Sequence, residues 1–419
     1  MIKAITGTRD TLPEDMPVWY RIESSVRSLF STYNYQEIRT PVFEETALFK
    51  RGIGEDTDIV SKEMYSFTDR GDTHITLKPE GTAPVVRAYI EHALGSKQPL
   101  QKLFYISPMF RQERPQAGRL RQFHQFGAEA LGSKAPQLDA EMIIIAYNLL
   151  KSFGLNSLEV CVNSLGKPET REQYKAELRN YLADKLHGLS TESKKRYETN
   201  ILRLFDSKES ADIEIMKDAP LLIDYLDDED KEHFQVVTSL LQQENIPFKV
   251  EPRLVRGLDY YTKTTFEIIS GSVGSQSALC GGGRYDNLIE QLGGQQTPGV
   301  GFAAGIERII LALQNENALQ TDAPKLSAYL IRLEEERAPF VFGLAQQLRN
   351  AGISADFDYH ARSIKAQMRE ANRLGAKVVL FCGGNEYTAG TVAIKRMSDG
   401  TQETVPFSGI INTITKLIG

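Results

Sequence analysis

The sequence predicts an α+β fold: a large body (1–325) built on an antiparallel sheet and carrying a helical insertion at about 165–230, then a small α/β domain (326–419). Three observations predict it. Short strand signals with Gly and Pro turns dominate 102–129 and 261–303, a pattern of hairpins rather than of parallel βαβ units. The span 165–230 is crowded with Lys, Glu and Asp at helical spacing and is poor in aromatics. The stretch QNENALQTDAPK (314–325) has one proline and no apolar period, which is the composition of a linker.

At 419 residues the chain is long enough for two or three domains, and 25% charged residues is ordinary for enzymes. No apolar run approaches the roughly eighteen residues of a membrane span, and the N-terminus MIKAITGTRD has no signal core. A cytoplasmic protein is the expectation. Cys161, Cys280 and Cys382 are few and far apart, and the six histidines show no paired ligand spacing. No disulfide framework, and no metal site made from protein clusters, is predicted.

Taken in order, Val18, Ile22, Val26, Leu29 and Tyr33 recur at helical spacing. The extended run 38–42 contains Pro41, which cannot donate to a ladder and so belongs at a sheet edge or where two chains meet. A strand is expected at 74–78. Thr82 is placed to cap a helix over 83–94, with Gly95 marking its end. Asp139 is read as opening a helix that runs to Phe153, and 158–162 alternates as a strand. Beyond the insertion come strands at 261–269, 277–280 and 300–303, with helices near 285–292 and at 306–313. The last domain reads strand, helix (338–351), strand, helix (363–374), strand (378–381), two strands and a helix. It carries 11 basic and 9 acidic residues, which leaves the first 325 residues at −8 of the total −6. That slight positive balance suggests a polyanion partner.

The densest chemistry lies between Lys102 and Gln125, where five of six charged residues are basic in a chain of 49 basic and 55 acidic residues. Phe110-Arg111-Gln112-Glu113 precedes a turn at 115–118, so a hairpin carries an anion-binding face. No phosphate-binding P-loop exists, because Gly166-Lys167 is followed by Pro168. Gly299-Val300-Gly301 is no dinucleotide fingerprint either, since the third glycine is displaced to Gly305. That segment does set Glu307 and Arg308 in the first turn of a helix, where an arginine can reach a phosphate.

Together these segments resemble the class II aminoacyl-tRNA synthetases. In that family a helix and a strand ending in proline form the dimer interface, a hairpin carries Phe-Arg-x-Glu, and a glycine-rich strand meets a helix opening with Glu-Arg. The counterparts are Arg39-Thr40-Pro41, Phe110 to Glu113 and Gly301 to Arg308. Two further segments, LVRGLDYY (254–261) and ALCGGGRYD (278–286), look like the motifs of the histidyl-tRNA synthetase family. The resemblance implies a class II antiparallel-sheet catalytic domain with a helical insertion and a C-terminal α/β anticodon-binding domain. It also implies ATP with Mg2+, L-histidine and tRNA(His) as reactants and partners, and a homodimer.

Joining ATP to a carboxylate demands that two anions be held in line, a task for cations and positioning more than for a nucleophile. By resemblance Arg111 serves the α-phosphate, Glu113 the adenine amino group and Arg308 the far phosphates. Arg256 is suited to bind both the α-phosphate and the substrate carboxylate through a bidentate guanidinium. Selecting histidine requires partners for both ring nitrogens, and Glu129 and Tyr261 can supply them. The resemblance further implies that Glu80, Gly81 and Thr82 face the α-amino group, Gln125 the substrate's backbone end, and Tyr260 the pocket wall. His124 is read as structural. Two other readings compete: a histidine-sensing regulatory subunit of an ATP phosphoribosyltransferase, and a class II synthetase for threonine, proline or serine. The first typically lacks the C-terminal domain and the Arg-Gly-Leu-Asp-Tyr-Tyr motif; the second is disfavoured by the acid and tyrosine residues.

Overall fold

Backbone pairing organises the first part of the chain around one eight-stranded sheet. The computed structural model describes residues 2–54, 57–276, 278–319 and 325–418, and the chain divides into two units, 1–321 and 322–419. Residues 320–324 of the expected linker, and Ser277 of an expected strand, lie outside the described residues.

The first unit opens with helix α1 (Met16–Thr32), whose buried face is Val18, Trp19, Ile22, Val26 and Phe30. Strand β1 (Gln36–Glu37), β2 (Phe43–Glu45) and α2 (Thr46–Ile53) follow, then β3 (Tyr65–Thr68) and β4 (His74–Leu77). After α3 (Thr82–Glu91) and α4 (Leu94–Lys97) come the paired strands β5 (Gln101–Phe110) and β6 (Gln122–Leu131). Helix α5 (Pro136–Ser152) and β7 (Leu158–Ser164) lead into the insertion: α6 (Pro168–Leu182), α7 (Thr191–Thr199), α8 (Ser210–Met216) and α9 (Asp228–Gln243). The chain returns through β8 (Phe248–Val250), β9 (Thr264–Ser270), β10 (Ala278–Arg284), α10 (Leu288–Gln291), β11 (Gly299–Gly305) and α11 (Ile306–Asn315).

The large sheet runs β1-β5-β6-β11-β10-β9-β7-β8; only the edge pairs β1·β5 and β7·β8 are parallel. Its main core joins α1, α5 and α11 to the sheet through residues such as Phe30, Ile143, Phe302 and Ile309. The insertion has its own apolar cluster, Tyr174, Leu178, Leu182, Leu204 and Leu226 among others. The second unit is a five-stranded sheet, β13 (Ala355–Phe357), β12 (Ala328–Arg332), β14 (Val378–Cys382), β15 (Thr391–Arg396) and β16 (Gln402–Pro406), with α12 (Ala338–Asn350), α13 (Ile364–Arg373), α14 (Gly384–Thr388) and α15 (Ile410–Ile418).

Several local expectations are corrected. The 38–42 run is not a strand: β1 stops at Glu37, and Pro41 lies in the connection to β2, consistent with its missing donor. Thr82 does not cap α3. The Glu80 carboxylate accepts from the Thr82 and Ala83 amides at 2.7 and 2.9 Å, so the acid two residues earlier takes that role. Helix α3 also ends at Glu91 rather than at 94, and the helix near 285–292 shortens to α10. Tyr260 and Tyr261 precede β9 instead of alternating within it. The first linker residues, Gln314 and Asn315, complete α11, and Ala318 and Leu319 still pack on the main core.

Asp139 sits inside the first turn of α5, not at its start, because its task is an ion pair. The Arg284 guanidinium is fully buried and bonds both oxygens of Asp139, with Nη1 and Nη2 also donating to the Ser133 and Ala135 carbonyls. His233 on α9 adds a contact of 3.2 Å to the same carboxylate. Removing one member of a buried pair strands the other charge. Asp139→Ala is therefore expected to lose roughly 3 to 5 kcal/mol of stability in denaturant unfolding; a loss below about 1 kcal/mol, the worth of an exposed pair, would contradict this burial.

Candidate active site

A cleft of about 510 Å³ opens on the large sheet, lined by Arg111, Glu113, Gln125, Arg256 and Arg308 of the expected residues. The loop after β5 brings Arg111 and Glu113, β6 brings Gln125, and the first turn of α11 brings Arg308. Backbone carbonyls aim two of these cations. Arg111 Nε donates to Pro79 O at 2.9 Å and its guanidinium lies 5.3 Å from the Phe123 ring centre. Arg308 donates to Gly118 O and Ala278 O, both at 2.9 Å. Carbonyls orient a guanidinium without cancelling its charge. Burial, then repulsion from Arg119 and Arg111, holds the Arg308 pKa below its ordinary value.

Arg119 also lines this cleft, and the sequence reading did not single it out. It forms an ion pair with Glu113 Oε2 at 3.1 Å, while Arg111 stands 3.7 Å from Oε1. Glu267 was likewise missed: it pairs directly with Arg256 Nη1. Burial is the largest influence and opposes the charge of Arg256, yet Glu267, Tyr261, Tyr260 and Cys280 together outweigh it and raise the pKa. Glu307 turns to His124, accepting from its amide at 2.9 Å and standing 2.9 Å from Nδ1.

The remaining expected residues lie behind this cleft, in a buried group of acids and tyrosines. Glu129 has no exposed surface, and Glu80, Thr82, Tyr260 and Tyr261 are nearly as buried. Thr82 Oγ1 donates to Glu129 Oε1 at 2.8 Å, and Tyr285, not Tyr261, donates its hydroxyl to Oε2. The rings of Tyr260 and Tyr261 are 4.8 Å apart, and Tyr260 meets Tyr285 edge-on at 5.7 Å. Arg256 joins the two regions, facing the cleft while its guanidinium lies 5.8 Å from the Tyr261 ring centre.

Glycines make the room. A Cβ on Gly281 would sit 2.3 Å from Arg256 Nη2, and one on Gly301 would sit 1.7 Å from Glu129 Oε2. Gly81, itself buried, packs under the Tyr105 ring, where a Cβ would come within 2.3 Å. The sequence signal for Tyr285 was its place in the GGGRYD motif, but only pairing of β10 with β11, and of β11 with β6, brings it to Glu129.

Comparison with known proteins follows from this geometry. The family described as "Histidyl-tRNA synthetase" matches residues 7–309, and the "Anticodon binding domain" family matches 327–417. The chain belongs to the histidyl-tRNA synthetase family. It is 47% identical over 418 residues to the histidine–tRNA ligase of Halothermothrix orenii, covering 100% of both chains. To that of Thermosipho melanesiensis it is 46% identical over 418 residues, covering 100% of this chain and 99% of the relative. The crystal structure of apo Staphylococcus aureus histidyl-tRNA synthetase superposes with a TM-score of 0.84 at 38% identity, covering 99% of this chain and 100% of that one. As in any histidyl-tRNA synthetase, ATP is a substrate. Among the described residues no helix is long and apolar enough to cross a membrane.

Burial pushes the Glu129 carboxyl up to about 8, with the Tyr285 and Thr82 hydrogen bonds opposing it. The folded protein thus holds this proton more tightly than the unfolded chain. The contribution is favourable below the ordinary carboxylate range and is lost as pH rises toward 8. Glu129→Gln removes the titration, so the variant should gain roughly 2 to 4 kcal/mol relative to the parent between about pH 5 and pH 8. Urea unfolding at both pH values measures this, and a pH-independent difference would show that Glu129 is ionised throughout.

Proposed function

We infer that the chain is a histidine–tRNA ligase, which activates L-histidine with ATP to histidyl-adenylate and transfers it to the 3' end of tRNA(His). The observation that carries the assignment of roles is the position of Arg256, between a cation-lined cleft and a buried acid–tyrosine group. Nucleotide phosphates belong in the cleft with Arg111, Arg308 and Arg256, and Glu113 receives the adenine amino group. The histidine side chain belongs with Glu129 and Tyr261, with Tyr285 holding Glu129 and Tyr260 walling the pocket. Glu80, Gly81 and Thr82 take the α-amino end, and Gln125, whose Oε1 is buried with no hydrogen-bond partner among the described residues, takes the substrate's backbone end.

The attacking group is the substrate's own carboxylate, so no protein nucleophile is needed. As an oxygen of that carboxylate bonds to the α-phosphorus, the α–β phosphoanhydride bond breaks and pyrophosphate leaves; charge grows on the phosphoryl oxygens, where fixed guanidinium groups stabilise it without reorganising. Arg256 would hold both reactants in one geometry. Mg2+ fits as an ion carried by the nucleotide: among the described residues no cluster of three or more acid, His or Cys groups could cage it, whereas the separate acids Glu113, Asp206, Glu267 and Glu307 line the cleft. The ion would neutralise phosphate charge. Full-length likeness to histidine–tRNA ligases, with the C-terminal domain present, favours this reading over the regulatory subunit.

Pyrophosphate exchange should respond to histidine alone among the amino acids. In Arg256→His, single-turnover adenylation should fall at least about a hundredfold while histidine affinity changes far less, the mark of an interaction made chiefly in the transition state. Adenylation at the parent rate would remove Arg256 from the reaction.

We also propose a homodimer formed around α1 and the 38–42 connection, where β1 ends the large sheet with only two paired residues. Sedimentation at micromolar concentration should give twice the chain mass of 47.0 kDa; a stable, active monomer would contradict it.

A further inference from the structure

The segment 254–262, which carries Arg256, Tyr260 and Tyr261, is neither strand nor helix. No ladder fixes it, so its place depends on separate contacts. The body supplies some: the Asp259 amide donates to Ile53 O at 3.2 Å, the Thr262 amide to Arg284 O at 2.7 Å, and Asn163 Nδ2 to Leu254 O at 3.0 Å.

The helical insertion supplies two more. Arg171, on α6, donates from Nη1 to Tyr261 O at 2.7 Å. Asn200, just after α7, donates from Nδ2 to Asp259 Oδ1 at 2.9 Å. A third tie, Arg203 to Asp58 at 3.0 Å, lands beside Ile59 of the cleft wall. The insertion's apolar cluster is separate from the one that holds Tyr260, Tyr261 and Tyr285. Polar cross-links therefore tie this module to the loop, and such bonds are directional where apolar packing is not. Burial lowers the Arg171 pKa, with Asp259 opposing, so this guanidinium is desolvated rather than idle at the surface.

Resting on the assignment of Arg256 and Tyr261 to the histidine site, we propose that Arg171 is a positioning residue through which the insertion sets the shape of the amino-acid pocket. It touches neither reactant. Its carbonyl bond fixes the backbone of Tyr261, and Asn200 fixes Asp259 two residues before, so the insertion holds the loop on the side away from Arg284.

The test is pyrophosphate exchange with full-length Arg171→Ala, Arg171→Lys and Asn200→Ala. Loss of a charge-assisted bond in Arg171→Ala should raise the KM for histidine about tenfold, with the KM for ATP within about twofold. Asn200→Ala should move histidine alone, by about threefold, and Arg171→Lys, which keeps a cationic donor, should recover part of the loss. The inference is overturned if the histidine KM stays within about twofold of the parent, or if both KM values rise together with a lowered unfolding midpoint. Glu129→Ala serves as the reference. If it raises the histidine KM while Arg171→Ala does not, the inference fails and the site assignment stands; if neither responds, the site assignment itself fails.

Discussion

Glu129 projects from the third strand of the large sheet with no exposed surface, and a buried carboxyl group is costly unless its oxygens are satisfied. Its two oxygens are met by Thr82 and Tyr285. Thr82 stands at the start of α3 because the Glu80 carboxylate ties down the Thr82 and Ala83 amides there. Tyr285 follows the last residue of β10, and that residue, Arg284, is locked to α5 through Asp139. One buried acid thus depends on a helix start, a strand end and the buried Arg284–Asp139 ion pair. The same contacts place the tyrosines around it.

The sheet holds this chemistry because its central strands lack side chains where function needs space. β10 carries Gly281, Gly282 and Gly283 in succession, and β11 carries Gly299, Gly301 and Gly305. At Gly282 a Cβ would lie 2.3 Å from Gly301 O, so even the ladder between the two strands requires glycine there. Gly weakens strands in general. Here pairing on both sides compensates: β10 lies between β9 and β11, and β11 between β10 and β6.

Periodicity made the long elements legible. α1, α5, α11 and the β5·β6 hairpin follow from apolar spacing and turn residues; the helices pack on the main core, while the hairpin also buries Leu103, Tyr105 and Met109 in a second cluster. Individual residue tasks were less legible where a tertiary partner overrides a local preference. Thr82 looked like a cap, but a buried carboxylate 47 residues away claims its hydroxyl. Asp139 looked like a helix start, but it faces Arg284, 145 residues away. Cleft residues from one hairpin, Arg111 and Glu113, were found through a local motif. Glu267 was not, since an acid in an alternating strand looks like a solvated face until Arg256 is folded onto it. Family resemblance added the roles that spacing alone leaves open.

The cleft stores electrostatic tension in its cations. Burial, then repulsion from Arg119 and Arg111, depresses the pKa of Arg308, and among the described residues Glu113 is the direct acidic partner of Arg111 and Arg119. A fold selected for stability alone would relieve such repulsion with further carboxylates or by moving one arginine to solvent. Carbonyl anchors at Pro79, Gly118 and Ala278 instead hold the guanidinium groups in place. Their orientation is then settled during folding, so that on the proposed assignment a polyphosphate would meet donors needing little rearrangement. Arg256 differs in having Glu267 as a direct counter-charge. An anion that engages Arg256 must share it with that carboxylate, which tempers ground-state binding at the one cation that contacts both regions of the site. In the role proposed for Arg256, charge that develops only as the new bond forms would draw on it more strongly than the bound reactants do, the differential binding on which rate acceleration depends.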